Sequence, residues 1–180
     1  MTPLVLKSED GSDNIPGVNV IDINPAHQLL GFGIEGDGTT QFWDPRSRSS
    51  VGMLKLPIGR MSISGLDTDL SVTAISSRAD GLSYAIGTST GHTLLYDIRA
   101  AQPYAIKDQG YGLPVKKVSW IEGGSRMAGD GMVVSADSKV IKIWDRNNVR
   151  TSSRGGLYSL ADHLECIFPA FDKFCVYHPS

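Results

Sequence analysis

The chain has 180 residues, 41% of them hydrophobic and 20% charged. That is apolar enough to bury the core of an ordinary domain and too apolar for a mainly disordered chain. The formal net charge of −2 argues against any general attraction to nucleic acid or anionic membrane, so such a contact would need a local patch.

No 18-residue apolar run occurs, and Met1 to Asp10 lacks the basic flank and apolar core of a secretory signal. A soluble intracellular chain is expected. Cys166 and Cys175 stand near the end without a CxxC or Cys/His ladder. A zinc site is therefore not expected, and two free thiols fit a reducing compartment better than a disulfide. The twenty glycines are spread along the chain, as turns between many short strands would need.

Residues 1–17 form a polar N-terminal segment closed by Pro16-Gly17, with Leu4-Val5-Leu6 as one isolated strand. A first unit spans 18–57. Val18, Val20, Ile21 and Ile23 give a strand rich in β-branched residues. Strands at 29–34 and 39–43 come next, separated by Glu35-Gly36-Asp37-Gly38. Asp44-Pro45-Arg46 stops the third strand, because Pro lacks the ladder N–H. A fourth is expected at 51–56. Residues 58–70 read as a linker loop.

The same layout restarts at 71–107, with strands at 71–76, 83–88, 92–96 and 103–107. A third, incomplete unit spans 108–150, with strands at 115–120, 132–136 and 140–144 and a Gly-rich turn from Glu122 to Gly131. Each third strand ends in an aromatic-Asp pair: Trp43-Asp44, Tyr96-Asp97 and Trp144-Asp145, about 50 residues apart. Residues 151–180 are an atypical tail with neither period.

Units of short antiparallel strands, each too thin to bury both faces alone, describe β-propeller blades. These residues resemble the WD-repeat family. The implied fold is all-β: a partial WD-repeat β-propeller of about three four-stranded antiparallel blades. The family's blade network implies structural roles for Ser135, Asp137, Trp144 and Asp145 in the third unit. It implies the same for Asp37, Trp43 and Asp44 in the first, and for Thr88, Tyr96 and Asp97 in the second. No Gly-His precedes any first strand.

Longer stretches carry a narrower resemblance. Asp22 to Leu30, Gln41 to Arg48, Gly87 to Arg99, Lys107 to Lys116, and Ser135-Ala136-Asp137-Ser138 with Ile143-Trp144 are similar to the nucleolar protein 10 family. That resemblance implies a non-catalytic scaffold of ribosome biogenesis, acting in small-subunit processome assembly and pre-18S rRNA maturation in the nucleolus. Its implied partners are other processome assembly proteins and pre-rRNA or the U3 ribonucleoprotein, with no cofactor, metal, membrane or small-molecule substrate. Members are several times longer, so the resemblance also implies a partial chain. A generic WD-repeat adaptor in another pathway and a truncated, non-functional fragment are the alternatives.

Other chemistry has weaker support in the residues. Gly31-Phe32-Gly33-Ile34-Glu35-Gly36 matches the dinucleotide G-x-G-x-x-G pattern. The run from Asp37 to Trp43 alternates like a strand, whereas a pyrophosphate site needs a helix N-terminus there. His27, His92, His163 and His178 are scattered and read as surface residues. No G-x-S-x-G nucleophile elbow occurs. Asp37, Asp80 and Asp137 sit in turns, where Asp bonds nearby backbone. Arg46, Arg48, Lys116, Lys117, Lys139 and Lys142 are the candidate contacts to rRNA or a partner, with solvated surface charge as the alternative. Trp120 is expected in the blade core.

Overall fold

A computed structural model describes residues 17–61, 70–121 and 131–145. Eleven strands within them form three antiparallel sheets. β1 (Val18–Ile23), β2 (Leu30–Ile34), β3 (Thr39–Asp44) and β4 (Ser49–Lys55) neighbour one another in chain order. β5 (Val72–Ser77), β6 (Ser83–Thr88), β7 (His92–Asp97) and β8 (Ala105–Asp108) repeat that meander. β9 (Lys117–Ile121), β10 (Met132–Ala136) and β11 (Ile141–Asp145) form a three-stranded version of it. The first strands, β1, β5 and β9, pack side by side from sheet to sheet. These are β-propeller blades.

Period-two alternation decides which face each residue takes. On β6, Tyr84 and Ile86 point toward the first sheet and join Phe42, Leu54, Leu56, Val72, Ile75, Leu94 and Tyr96 in one core cluster. Phe42 meets Tyr84 edge-on, with ring centroids 4.9 Å apart. Ala85 points the other way. With Ala74, Leu95 and Ala105 it packs on Val115, Val118, Trp120 and Val133 of the third blade. The first layer holds Phe42, Tyr84 and Tyr96, whereas in the second the alanines of the second blade meet Val115, Val118, Trp120 and Val133. All six residues of β6 are buried.

One device recurs between blades. Asn19 and Thr73 each sit at a register break in the first strand of their sheet. Each side chain donates to a carbonyl of the next blade: Asn19 Nδ2 to Val72 O at 3.3 Å and Thr73 Oγ1 to Val115 O at 2.7 Å. The residue after each break pairs with a glycine, Val20 with Gly33 and Ala74 with Gly87. A Cβ on Gly33 would lie 2.6 Å from Val72 Cγ1, and one on Gly87 would lie 2.8 Å from Val115 Cβ. Glycine lets neighbouring blades approach. Two members of the G-x-G-x-x-G run thus lie in β2 itself. The third, Gly36, turns the chain at φ +76° and leads through Gly38 into β3.

Several strand ends differ from expectation. β4 begins at Ser49, two residues early, because Pro45 to Arg48 already complete the turn; Arg48 takes φ +54°. β8 omits Pro103 and Tyr104, and β9 omits Val115 and Lys116. The Val115 N–H donates to Thr88 O at 3.0 Å in the neighbouring blade and so cannot serve its own sheet. Ile58–Arg60 is a short 3₁₀ turn. The expected Leu4–Leu6 strand, most of the 58–70 linker, nearly all of the 122–131 turn and the tail with Cys166, Cys175, His163 and His178 lie outside the described residues.

Candidate functional site

Antiparallel blades end in two rims of loops. One rim carries the β2–β3, β6–β7 and β10–β11 turns together with the connections between blades. Hydrogen bonds stitch it along its length. Gly36 N donates to Ser71 Oγ at 2.8 Å, and Ser71 N to Ser89 Oγ at 3.0 Å. Gln109 N donates to Gly91 O at 2.9 Å, and Lys116 N to Ala136 O at 2.8 Å.

Side chains close two of these turns in the same way. Thr88 Oγ1 accepts from His92 N at 3.0 Å, and Asp137 Oδ1 accepts from Lys139 N at 2.5 Å and Val140 N at 2.7 Å. By sheet register Thr88, which follows Gly87, matches Asp137, which follows Ala136, and not Ser135, which lies fully buried within β10 opposite Lys142 and Val118. In the first blade the matching position is Ile34, which precedes the turn. Asp37 is exposed inside a longer turn, so it does not take Asp137's place. His92 is buried at 5% exposure, with Nδ1 3.1 Å from Thr90 Oγ1. The expectation of a surface histidine is corrected here, because the threonine turn supplies the polar partner.

The aromatic ends of the third strands also separate. Tyr96 is fully buried and its hydroxyl donates to Lys55 O at 3.0 Å, tying the second blade to the first. Alternation puts Trp43 on the face opposite Phe42, away from the second blade, where it is half-buried. Trp144 and Asp145 complete the backbone pairing with Val133 and Met132; their side chains lie outside those described.

The opposite rim holds the aspartates at the ends of the first and second blades' third strands. Asp44 Oδ1 accepts from Arg46 N at 2.8 Å and Nε at 3.1 Å, and Asp97 accepts from Arg99 N and its guanidinium, the closest contact being 2.6 Å. The Arg46 backbone N–H, then its side chain, hold the Asp44 carboxyl below the usual range; the Asp97 carboxylate raises Arg99. Arg46 Nη2 also reaches His27 O at 3.2 Å. Trp120 is core, as expected. Its indole N–H donates to Ser76 O at 3.1 Å, and Arg78 lies over its ring at 5.8 Å.

Asp80 closes the turn before β6. Burial raises its carboxyl, but the N–H groups of Ser83 and Leu82, the Ser83 hydroxyl and Arg78 outweigh burial and leave it below the usual value. A depressed folded value stabilises above the unfolded value of about 4 and loses that stabilisation as pH falls through the folded value. Asp80→Asn is expected to be less stable at neutral pH and to lose less stability than wild type on acidification. Urea midpoints at neutral and acid pH check this.

The six basic candidates do not form one patch. Arg46 and Arg48 sit on the aspartate rim; Lys116, Lys117, Lys139 and Lys142 gather at the turn rim around the third blade. Two residues of structural weight carry no signal in the sequence. Asn24 is fully buried and joins the first two blades; a buried role for an Asn before Pro has no local mark. Gln109 is fully buried, and its side-chain amide has no hydrogen-bond partner among the described residues. An unsatisfied buried amide costs about 1–3 kcal/mol, so Gln109→Met is expected to raise unfolding stability by about 1 kcal/mol, read from the urea midpoint.

An apolar recess of about 140 Å³ lies between Phe42, Val51, Met53, Leu54 and Ile98. Among the described residues, no three His, Cys, Asp or Glu side chains are placed to hold a metal ion.

A family model described as "Nucleolar protein 10-like, N-terminal domain" matches residues 1–175. The chain is 50% identical over 147 residues to the ribosome biogenesis protein enp2 homolog of Schizosaccharomyces pombe, covering 82% of this chain and 23% of that protein. It is 41% identical over 131 residues to ribosome biogenesis protein ENP2 of Saccharomyces cerevisiae, covering 72% and 17%. To human nucleolar protein 10 it is 35% identical over 130 residues, covering 72% and 18%. The chain thus spans about a fifth of the length of these relatives. Among solved structures it resembles a chain of the mitotic checkpoint complex, with TM-score 0.57 and 20% identity, covering 73% of this chain and 37% of that one. It also resembles the Cps50 (Swd1) β-propeller domain of Myceliophteria thermophila, with TM-score 0.55 and 15% identity, covering 72% and 36%. At that identity the likeness is one of fold.

Proposed function

The chain belongs to the nucleolar protein 10-like family, and from that premise we propose that it is a non-catalytic scaffold of ribosome biogenesis. It works in the nucleolus, within small-subunit processome assembly and pre-18S rRNA maturation. Its partners are other assembly proteins, and pre-rRNA or the U3 ribonucleoprotein. The supporting observation is the 50% identity over 147 residues to a protein named for ribosome biogenesis, in a stretch whose structure offers rims and sheet edges. Five rim side chains serve as turn closures: Thr88, Asp137, Asp80, Asp44 and Asp97 all accept from nearby backbone N–H groups. A scaffold of this kind contributes surface and geometry, and turns nothing over.

Affinity capture of the tagged chain from cells tests the reading. Recovery of small-subunit assembly proteins together with U3-containing precursor RNA is expected. Their absence even at low salt would overturn it.

A further inference from the structure

On the turn rim one exposed aromatic has an unusual setting. Tyr111 is 52% exposed and stands between Gly110 (φ +86°) and Gly112 (φ +61°). The glycines leave no side chain on either side of it. The Lys139 ammonium lies 5.6 Å from the ring centroid. Lys142 Nζ donates to Asp108 O at 3.3 Å at the base of the same loop, and exposed Lys116 leads out of it into β9. The connection from β8 to β9 supplies the ring, and the β10–β11 hairpin supplies two of the cations.

The nearby carboxylates are partly engaged by their own loops. Asp108 Oδ1 accepts from Gly110 N at 2.6 Å, and Asp137 Oδ1 caps its turn. Among the described residues, the groups placed at this loop are the two glycines, the Lys139 ammonium over the ring and the Lys142 ammonium near Gly110. The ring is half exposed, with one ammonium over it and two more lysines along the loop; that arrangement fits a base that stacks on the ring while its flanking phosphates pair with the cations.

We infer that the Tyr111 loop, with Lys139, Lys142 and Lys116 around it, is a seat for single-stranded RNA. Tyr111 carries a stacked base, and the lysines carry the adjacent phosphates. The site is sequence-tolerant, since every base has a π-face. The choice of RNA over DNA rests on the ribosome-assembly reading above.

Fluorescence anisotropy of the full chain with a labelled oligouridylate of about twelve nucleotides, at about 50 mM salt, tests the seat. Binding that weakens with salt is expected. Tyr111→Ala should lose roughly 5- to 100-fold in affinity and Tyr111→Phe about twofold or less. Lys139→Gln should lower the log–log salt slope by about 0.7. Thermal unfolding of each variant shows that the exposed substitutions leave the blades intact. No binding by wild type, equal binding by Tyr111→Ala, or equal affinity for duplex RNA or polyglutamate would each overturn the seat. Affinity capture with Tyr111→Ala separates the two readings. Loss of oligouridylate binding with assembly proteins still recovered supports the seat and keeps the scaffold. Oligouridylate binding by wild type without recovery of assembly proteins supports the seat and sinks the scaffold.

Discussion

Asn24→Ala is expected to lower the unfolding free energy by about 3 kcal/mol. Asn24 Oδ1 accepts from Ala26 N and His27 N, both at 3.0 Å, and so shapes its own turn. Its Nδ2 donates to Gly81 O at 2.8 Å and to the Tyr84 hydroxyl oxygen at 2.5 Å, in the second blade. The two turn N–H groups are near solvent and can find water. Gly81 O and the Tyr84 hydroxyl cannot, and they carry most of the cost. Tyr84→Phe removes one partner and should cost about 1 kcal/mol. The double variant should then be less destabilised than the sum of the two. Urea unfolding monitored by tryptophan fluorescence measures all three. A loss below about 1 kcal/mol for Asn24→Ala would mean that the two turns hold together without it.

Gly87→Ala should cost about 3 kcal/mol, and more than Gly33→Ala. The reason lies in which atoms the new methyl meets. At Gly33 these are chiefly the Cγ1 atoms of Val20 and Val72, at 2.5 and 2.6 Å, and a valine can turn its methyl aside at the cost of a rotamer. At Gly87 the methyl meets Val115 Cβ at 2.8 Å as well as Cγ1 at 2.7 Å, with Ala74 Cβ at 3.1 Å. A Cβ moves only with its backbone, so the second and third blades must part. A rescue pattern distinguishes the two sites in urea unfolding. Val72→Ala should relieve Gly33→Ala in part, by removing one of the two Cγ1 contacts. Val115→Ala should fail to relieve Gly87→Ala, because Cβ stays. Additive costs at the first pair, or full rescue at the second, would show that the sheets adjust by some other route.

Much of the fold is legible in the sequence because alternation and turn residues are local. Val18–Ile23, Ser83–Thr88 and Met132–Ala136 announce themselves in β-branched and aromatic residues bounded by polar turns. Errors arise where a distant partner overrides the local pattern. Val115 looks like a strand residue, but its N–H belongs to Thr88. His92 looks like a surface polar residue, but Thr88 and Thr90 satisfy it inside. Asn24 and Tyr84 lie 60 residues apart, and nothing in either neighbourhood names the other. Aligning the units by their aromatic-Asp ends hides a difference in turn length and brings Asp37 within one residue of Asp137, although the sheet register matches Asp137 to Ile34. On the candidate rim, the lysines are visible as charge. Tyr111 is not, because an exposed aromatic between glycines reads as ordinary loop until Lys139 is seen beside it.

The burial of every residue of β6 also bears on how such a sequence can drift over generations. A strand with one wet face has neutral ground, where substitutions accumulate without penalty. β6 has none: one face meets the cluster around Phe42 and Tyr96, the other the cluster around Val115 and Val118, and a Cβ on Gly87 would lie 2.7 Å from Val115 Cγ1. In β4 only Leu54 is buried, and nearly every other position tolerates exchange. Lineages of this blade pair should therefore diverge from the outer strand inward, with the Ser83–Thr88 hexapeptide the last part of the second blade to change.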